Sequence, residues 1–193
     1  MKKFGVWRNN VMGEKKLKDT KKKIPKSSYQ NRGLKFEERI QHKCDELRKN
    51  KVALLSKVPT EWKVVRRGAY IVKAFTVAES RFVDFVGCNN KGQAIGIEAK
   101  ETSNKTSFPF GNIKESQFSF FGLWCGLGAI GYYIIHFKEH EKVFLVKATD
   151  LEEIKDTIGR KSVPYKMFCE DDRFIELDYE KLNFEDYINN IKK

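Results

Sequence analysis

A run of twenty residues without a charged side chain, Ser116–Ile135, restricts the possible folds of this chain more than any other feature. It is long enough to cross a bilayer as a helix. Its glycines, however, cluster in the middle of the run, and aromatic and β-branched residues follow them. This order predicts a helix, a glycine turn and a buried strand. The polar flanks and charged neighbours of the run favour the same interpretation, so we expect no membrane association.

The charge of the chain is strongly positive and unevenly distributed. Lysine and arginine number 38 against 26 aspartate and glutamate residues, which gives a net charge of +12 and a pI near 9.5. Residues 1–30 contain ten of the basic and two of the acidic residues, so +8 of the net charge lies there. We predict a flexible basic N-terminal arm over 1–30, because apolar residues are sparse there and show no period. The arm either solvates the protein or contacts phosphates, and the overall charge favours nucleic acid as a partner.

The four cysteines lie far apart in the sequence and include no Cys-x-x-Cys pair. This spacing argues against a structural zinc site and favours reduced thiols in a cytoplasmic protein. The basic N-terminus also lacks the apolar segment of a secretory signal. We therefore expect the protein in the cytoplasm.

Hydrophobic periodicity divides the chain after the arm into helices and strands. Phe36, Ile40, Cys44 and Leu47 recur at helical spacing, which predicts an amphipathic helix over Gly33–Lys49. The other predicted elements are strands at Val52–Val58, Phe82–Cys88, Ala94–Lys100, Ala129–Phe137 and Lys142–Lys147, and helices at Ile113–Cys125, from Asp150 as the cap to Ile158, and near Phe184–Ile191.

Charged side chains interrupt two neighbouring predicted strands. Asp84 lies between two apolar residues, where a carboxylate is unfavourable unless something satisfies it. Glu98 and Lys100 share one face of the next strand, because side chains alternate along a strand. A divalent cation such as Mg²⁺, held by Asp84 and Glu98, satisfies both carboxylates, and a lysine beside it stabilises a phosphoryl transition state. The pattern is compatible with a phosphodiester hydrolase, but the spacing alone is weak evidence, and a plain ion pair of Glu98 and Lys100 has the same residues.

Residues 59–80 mix aromatic and basic side chains. Such a mixture suits contact with a nucleic-acid backbone and its bases, although an ordinary amphipathic hairpin has the same composition. The candidates for DNA contact in this segment, chosen by charge, are Arg66, Arg67 and Lys73.

Two motifs are more specific than these spacings: the run EAKETSNKTSFP at residues 98–109, and Asn31-Arg32-Gly33 with Glu37. The Asp84 and Glu98-x-Lys100 pair of strands resembles the PD-(D/E)xK nuclease superfamily. The run and the N-terminal motif resemble, within it, the Holliday junction resolvase RecU family. The resemblance extends from about residue 31 to residue 150.

This resemblance implies a restriction-endonuclease-like α/β fold with a central mixed β-sheet flanked by helices. It also implies a nuclease domain at 31–193 with a short protruding stalk at about 59–80. The implied protein is a homodimer that cuts branched DNA, the four-way junction, symmetrically in recombination and repair. Its cofactor is Mg²⁺, for which Mn²⁺ substitutes. The implied location is the nucleoid, in the cytoplasm of a bacterial or phage-infected cell.

By position, the resemblance assigns metal binding to Asp84, Glu98 and Gln117, and transition-state stabilisation to Lys100. Glu37 matches a catalytic-site carboxylate on the first helix, which binds metal through water or orients a ligand. Further candidate DNA contacts are Arg32 in the N-terminal motif and Lys105 after the catalytic strand.

Two departures from the family keep alternatives open. Phe82 stands where the family has a threonine two residues before the catalytic aspartate, and the stalk region is shorter. The protein is then a junction resolvase, a less selective nuclease on the same fold, or a non-catalytic protein that binds branched DNA.

The segment His136-x-x-Glu139-His140 matches an inverted zinc-protease pattern. That chemistry needs both histidines on one helix, whereas this segment joins two strand-like runs. We expect a hairpin loop there and no protease site.

Overall fold

The computed structural model describes residues 34–59, 62–76 and 82–189 of the chain. The predicted arm at 1–30, and Arg32 after it, lie outside the described residues. The elements follow in the order α1 (Leu34–Lys49), β1 (Ala53–Lys57), β2 (Trp62–Arg67), β3 (Tyr70–Thr76), β4 (Phe85–Asn89), β5 (Ala94–Thr102), β6 (Ser107–Pro109), α2 (Glu115–Gly126), β7 (Ile130–Phe137), β8 (Lys142–Lys147), α3 (Ala148–Thr157), β9 (Ser162–Pro164), α4 (Tyr165–Glu170), β10 (Ile175–Leu177) and α5 (Glu185–Ile188).

A mixed sheet of six strands forms the centre of the described structure, in the order β1-β4-β5-β7-β8-β10. Neighbouring strands are antiparallel except β5 and β7, which are parallel. A parallel pair needs a crossover connection, and α2 lies in that connection. The register of the parallel pair sets Glu98 opposite Tyr133 and Glu101 opposite His136.

Helices cover both faces of this sheet, as predicted. The predicted stripe of α1 is buried against one face, where Ile95 and Ile97 of β5 also lie. On the other face, Phe118 and Phe121 of α2 pack with Tyr133 of β7. This architecture confirms the predicted α/β fold with a central mixed sheet flanked by helices.

The uncharged run Ser116–Ile135 forms most of α2, a glycine turn and most of β7, as the sequence predicts. Gly128 in the turn has a φ of 90°, a conformation that side chains rarely adopt. Gly131 lies where α2 comes closest to the sheet, since a Cβ atom there would lie 2.7 Å from Cε1 of the Phe121 ring. Among the described residues, none of the helices combines the length and hydropathy that a bilayer span requires.

The predicted position of Asp84 inside a strand is wrong. The strand begins at Phe85, which pairs with Lys57 of β1, and Asp84 lies just before it. The reason is a hydrogen bond to a side chain. The Asp84 backbone N–H donates to the carboxylate of Glu98 on β5 at 3.1 Å, and not to a backbone carbonyl group of a neighbouring strand.

Two further expectations need correction. Asp150 does not cap its helix, because α3 begins at Ala148 after Lys147, and Asp150 lies in the first turn. A carboxylate there still interacts favourably with the helix dipole. The predicted last helix is short, since α5 spans only Glu185–Ile188.

The predicted stalk region contains the hairpin of β2 and β3, which form a separate two-stranded sheet. Every side chain from residue 63 to residue 74 is exposed. Gly68 in the hairpin turn has a φ of 62°, which glycine adopts without strain. An isolated hairpin with two exposed faces is marginally stable in water, so this segment suits a binding surface.

Candidate active site

The start of β4 and the second half of β5 bring two carboxylates together. The Asp84 N–H donates to Oε2 of Glu98 at 3.1 Å, and the Ala99 N–H donates to Oδ2 of Asp84 at 2.9 Å. Each carboxylate thus accepts a hydrogen bond from the backbone that carries or adjoins the other. This reciprocal arrangement fixes both side chains at one point of the sheet.

Glu98 is the centre of the site and is only 1% exposed. Its Oε1 atom lies 2.6 Å from Nζ of Lys100, whose side chain is 15% exposed. The side-chain N–H₂ group of Gln117 donates to the same oxygen. The prediction that Glu98 and Lys100 share one face of their strand is confirmed.

The carboxyl groups of the site resist ionisation. Burial raises the pKa of Asp84 to about 7, and the neighbouring Glu98 carboxylate adds to the increase. Burial also raises the pKa of Glu98, although the Lys100 ammonium group opposes the increase. Two carboxyl groups this close favour a shared proton over two full charges near neutral pH. A divalent cation relieves the same repulsion by replacing the proton.

The donor set fits Mg²⁺. Magnesium takes oxygen ligands and is commonly bound by one or two carboxylates, with water and substrate phosphate completing the shell. Asp84 and Glu98 supply the two carboxylates. Over the parts of the chain that the structure describes, no group of three or more His, Cys, Asp or Glu side chains is arranged to hold a metal. The site therefore suits a cation whose remaining ligands are water molecules and the substrate.

Gln117 reaches the site with its amide nitrogen. Its Oε1 atom accepts the Lys114 N–H at 3.0 Å and so closes the first turn of α2. The nitrogen holds Glu98 in place. A role as metal ligand requires the amide to turn, so that the oxygen faces the carboxylates.

Glu37 lies near the carboxylate pair but is paired elsewhere. Its Oε2 atom lies 2.7 Å from Nζ of Lys57 on β1. Its negative charge nevertheless contributes to the raised pKa of Asp84, after burial and Glu98. Sequence reasoning missed Lys57, because the pairing of α1 with β1 is not visible in any local pattern.

The candidate DNA contacts among the described residues lie outside this centre. Arg66, Arg67 and Lys73 are exposed on the β2–β3 hairpin. Lys105 follows β5, is 69% exposed and lies 3.5 Å from the carboxylate of Glu139. An exposed ion pair of this kind is weak, so Lys105 stays available to a phosphate.

The His136-x-x-Glu139-His140 segment is not a protease site. His136 lies within β7 and its Nδ1 atom lies 2.9 Å from the carboxylate of Glu101. His140 lies in a 3₁₀ turn, and its Nε2 atom lies 2.8 Å from the carbonyl oxygen of Lys105. The two histidines therefore contact different partners, one within β5 and one after it.

Comparison with known proteins identifies the family of this chain. The family model described as "Recombination protein U" matches residues 31–193. The chain is 32% identical to the Holliday junction resolvase RecU of Geobacillus sp. (strain WCH70), over 86% of this chain and 85% of that protein. It is 30% identical to the protein of the same name from Oceanobacillus iheyensis, over 79% and 82% of the two chains. The chain therefore belongs to the Recombination protein U family.

Proposed function

We propose that this protein is a metal-dependent endonuclease that resolves four-way DNA junctions in recombination and repair. The observation that carries the proposal is the pair of buried Glu98 and half-buried Asp84, with Nζ of Lys100 at 2.6 Å from the Glu98 carboxylate. The relatives of this family that bear the name Holliday junction resolvase RecU support the choice of substrate.

In the proposed reaction, Asp84 and Glu98 hold the divalent cation, and Gln117 keeps Glu98 in position from α2. Mg²⁺ is the natural choice, and Mn²⁺ replaces it. When bound, the metal supplies Lewis-acid activation of the phosphoryl group and of the attacking water. Lys100 places its ammonium group beside the phosphate, where negative charge gathers in the transition state. Glu37, already near Asp84, orients a water or a ligand at the edge of the site.

A four-way junction has two-fold symmetry, and symmetric cleavage needs two equivalent active sites. A homodimer with two-fold symmetry supplies both. The β2–β3 hairpin, with Arg66, Arg67 and Lys73 exposed on it, contacts the branched DNA and gives the enzyme its structure selectivity.

An end-labelled synthetic junction tests this proposal directly. Incubated with the protein and Mg²⁺, it should give paired, symmetric nicks on a denaturing gel, and none in EDTA. Asp84→Asn should lower cleavage by more than the 10–100-fold typical of an outer-shell metal partner. Lys100→Gln should lower it by about 10²–10³, the usual cost of one transition-state charge contact.

Lys91→Gln is the matched control for Lys100→Gln. Lys91 is exposed in the turn between β4 and β5, at the opposite end of β5 from Lys100. Lys91→Gln therefore removes the same charge as Lys100→Gln but leaves the candidate active site unchanged. It should cut at the wild-type rate. A junction that binds but stays uncut would point to a non-catalytic binding protein. Equal cleavage of linear duplex would point to a less selective nuclease on the same fold.

A further inference from the structure

A second set of polar groups lies beside the catalytic strand, on the opposite face from Lys100. Glu101 follows Lys100 directly, and its carboxylate lies 2.9 Å from Nδ1 of His136 and 3.0 Å from Nζ of Lys138. Burial opposes ionisation of Glu101, but the hydrogen bonds from His136 and Lys138 outweigh it and lower the pKa of this carboxyl group. An ionised carboxylate only accepts hydrogen bonds, so Nδ1 of His136 carries a proton.

The other ring nitrogen of His136 is the unexplained atom. The side chain is 8% exposed, and Nε2 is buried with no hydrogen-bond partner among the described residues. Phe36 and Tyr179 pack against the ring with centroid separations of 5.0 Å and 5.3 Å, and neither ring offers Nε2 a strong acceptor. A buried polar atom without a partner is unfavourable and calls for a ligand.

His136 lines a cavity of about 400 Å³ between the first turns of α1 and the end of β7. Three cationic side chains also line it: Lys35 and Arg39 from α1, and Lys138. The facing acids are Glu101, already bonded to His136 and Lys138, and Glu141. The cations outnumber the acids, and the start of a long helix adds partial positive charge.

We propose that this cavity binds a phosphate group of the DNA backbone, outside the metal centre, with His136 donating to it through Nε2. The proton at Nε2 comes from solvent when the phosphate binds, which makes a charge-assisted hydrogen bond. Lys35 and Arg39 supply the remaining positive charge. The proposal rests on the proposed function, because it takes DNA as the source of the phosphate.

The position of the cavity relative to the active site supports DNA as the source. Residues two apart on a helix point about 200° from each other. Glu37 of α1 therefore lies on the side of the carboxylate pair, whereas Lys35 and Arg39 lie on the side of the cavity. The two sites therefore flank the first turns of α1, and this position favours DNA bound at the active site as the source of the phosphate.

Histidine ring NMR tests the proposal, because the chain has only three histidines. The full protein is labelled with ¹⁵N-histidine and kept in EDTA, so that junction DNA is bound but not cut. The His136 signals are identified by their loss in His136→Gln. Addition of inorganic phosphate, and separately of a four-way junction, should shift the His136 Nε2 signal in a saturable way, the junction at lower concentration. His42 and His140 should move less.

Two lysines on the same helix give the matched control. Lys35 and Lys49 are both exposed on α1, but only Lys35 lines the cavity. Lys35→Gln should weaken the phosphate response of His136 by about two- to fivefold, the effect of one partly exposed charge pair. Lys49→Gln should leave it unchanged.

Several results would overturn the proposal. An unmoved His136 signal with both ligands would leave the cavity as a solvent pocket. If Lys49→Gln weakened the phosphate response of His136 as much as Lys35→Gln, the response would reflect the general positive charge of the protein and not this cavity. A response to phosphate but not to the junction would rule out DNA as the source. If the junction is cleaved in Mg²⁺ but the His136 signal does not shift, the phosphate site is wrong and the proposed function stands. If the His136 signal shifts but the junction is not cleaved, the proposed nuclease activity is wrong and the phosphate site stands.

Discussion

Asp84 and Glu98 lie side by side, Glu98 buried and Asp84 half-buried, and desolvation is the first cause of the raised pKa of each. Their arrangement is suited to a cation and unfavourable without one, because each ionised group disfavours the other. Lys100 offsets only part of this repulsion, because its ammonium group contacts the Glu98 carboxylate and not that of Asp84. Removal of one charge should therefore stabilise the metal-free protein while it abolishes metal binding.

We expect Asp84→Asn to change the pH dependence of the free energy of unfolding. The pKa of Asp84 is about 7 in the folded protein against an ordinary value of 3.8. The folded state thus binds a proton that the unfolded state has lost. The stability from this proton is present below about pH 4 and is lost as the pH rises towards 7. Urea unfolding in EDTA should show a less stable wild-type protein at pH 8 than at pH 5.

The variant should lose much of this pH dependence and exceed wild type at pH 8 by about 1–3 kcal/mol, because it removes a carboxyl group whose pKa is raised in the folded state. Glu101 and Asp171 have lowered pKa values, so they contribute stability that rises with pH and cannot produce this loss. Asp156→Asn, the same change at an exposed site on α3, should leave the pH dependence as it is. An equal stability of wild type at pH 5 and pH 8 would contradict the expectation.

At the scale of elements, the contact of α2 with β7 sets the position of Gln117 relative to Glu98. Gly131 permits this contact, because the nearest atoms to a Cβ at that position belong to Phe121, with Ala148 at 3.0 Å. Phe121 is 2% exposed and cannot move aside easily. A single methyl group at residue 131 should therefore push α2 away from the sheet.

Gly131→Ala and Gly122→Ala make a matched pair for this contact. Gly131→Ala should lower the free energy of unfolding by about 1–3 kcal/mol through overpacking. Gly122 lies within α2 with no atom within 4 Å of its would-be Cβ, so Gly122→Ala should raise stability by about 0.5–1 kcal/mol. Thermal unfolding of both variants checks the signs. Equal effects would show that the interface has room to relax.

Elements with a strong local pattern could be predicted from the sequence. The stripe of α1 and the order of helix, turn and strand in Ser116–Ile135 depend on neighbours in the sequence, and both are confirmed. The start of β4 could not be predicted, because a side chain fourteen residues away takes the N–H of Asp84. The prediction of Asp150 as the cap of α3 was wrong for a different reason, because an aspartate is favourable both at a cap and in the first turn of a helix.

The candidate site shows the same division. The strand alternation that pairs Glu98 with Lys100 is local and was predictable. The bond between Glu101 and His136 depends on which strand lies beside β5, and thirty-five residues separate the two side chains. The partner of Glu37 likewise depends on how α1 packs on β1. Contacts between elements thus require the topology, which no local spacing contains.

For the molecule as a whole, positive charge and the candidate catalytic groups are separated along the chain. Residues 1–30 carry +8 of the net charge of +12, whereas Asp84 lies just before β4 and Glu98 and Lys100 lie in β5. The exposed β2–β3 hairpin adds three cationic candidates at a further place. In the proposed function, phosphate contacts give affinity and the carboxylate site gives chemistry, so the two properties should respond to different deletions.

We expect deletion of residues 1–30 to weaken junction binding and to flatten its salt dependence. Each neutralised phosphate contributes about 0.9 to the slope of log affinity against log salt, so the slope should fall by about that amount for every phosphate that the arm no longer neutralises. Filter binding in EDTA over a range of salt concentrations measures the slope. A full-length chain with the arm lysines changed to glutamine separates charge from length, and it should behave like the deletion.

The rate of cleavage at saturating junction should stay near the wild-type value in both arm variants, because Asp84, Glu98 and Lys100 are unchanged. An unchanged salt slope would mean that the arm only solvates the protein, which is the alternative left open by its composition. A fall in the saturated rate with an unchanged slope would instead place the arm close to the reacting phosphate. The combination of a lower slope and an unchanged saturated rate is the result expected if the arm holds the DNA and the folded domain cuts it.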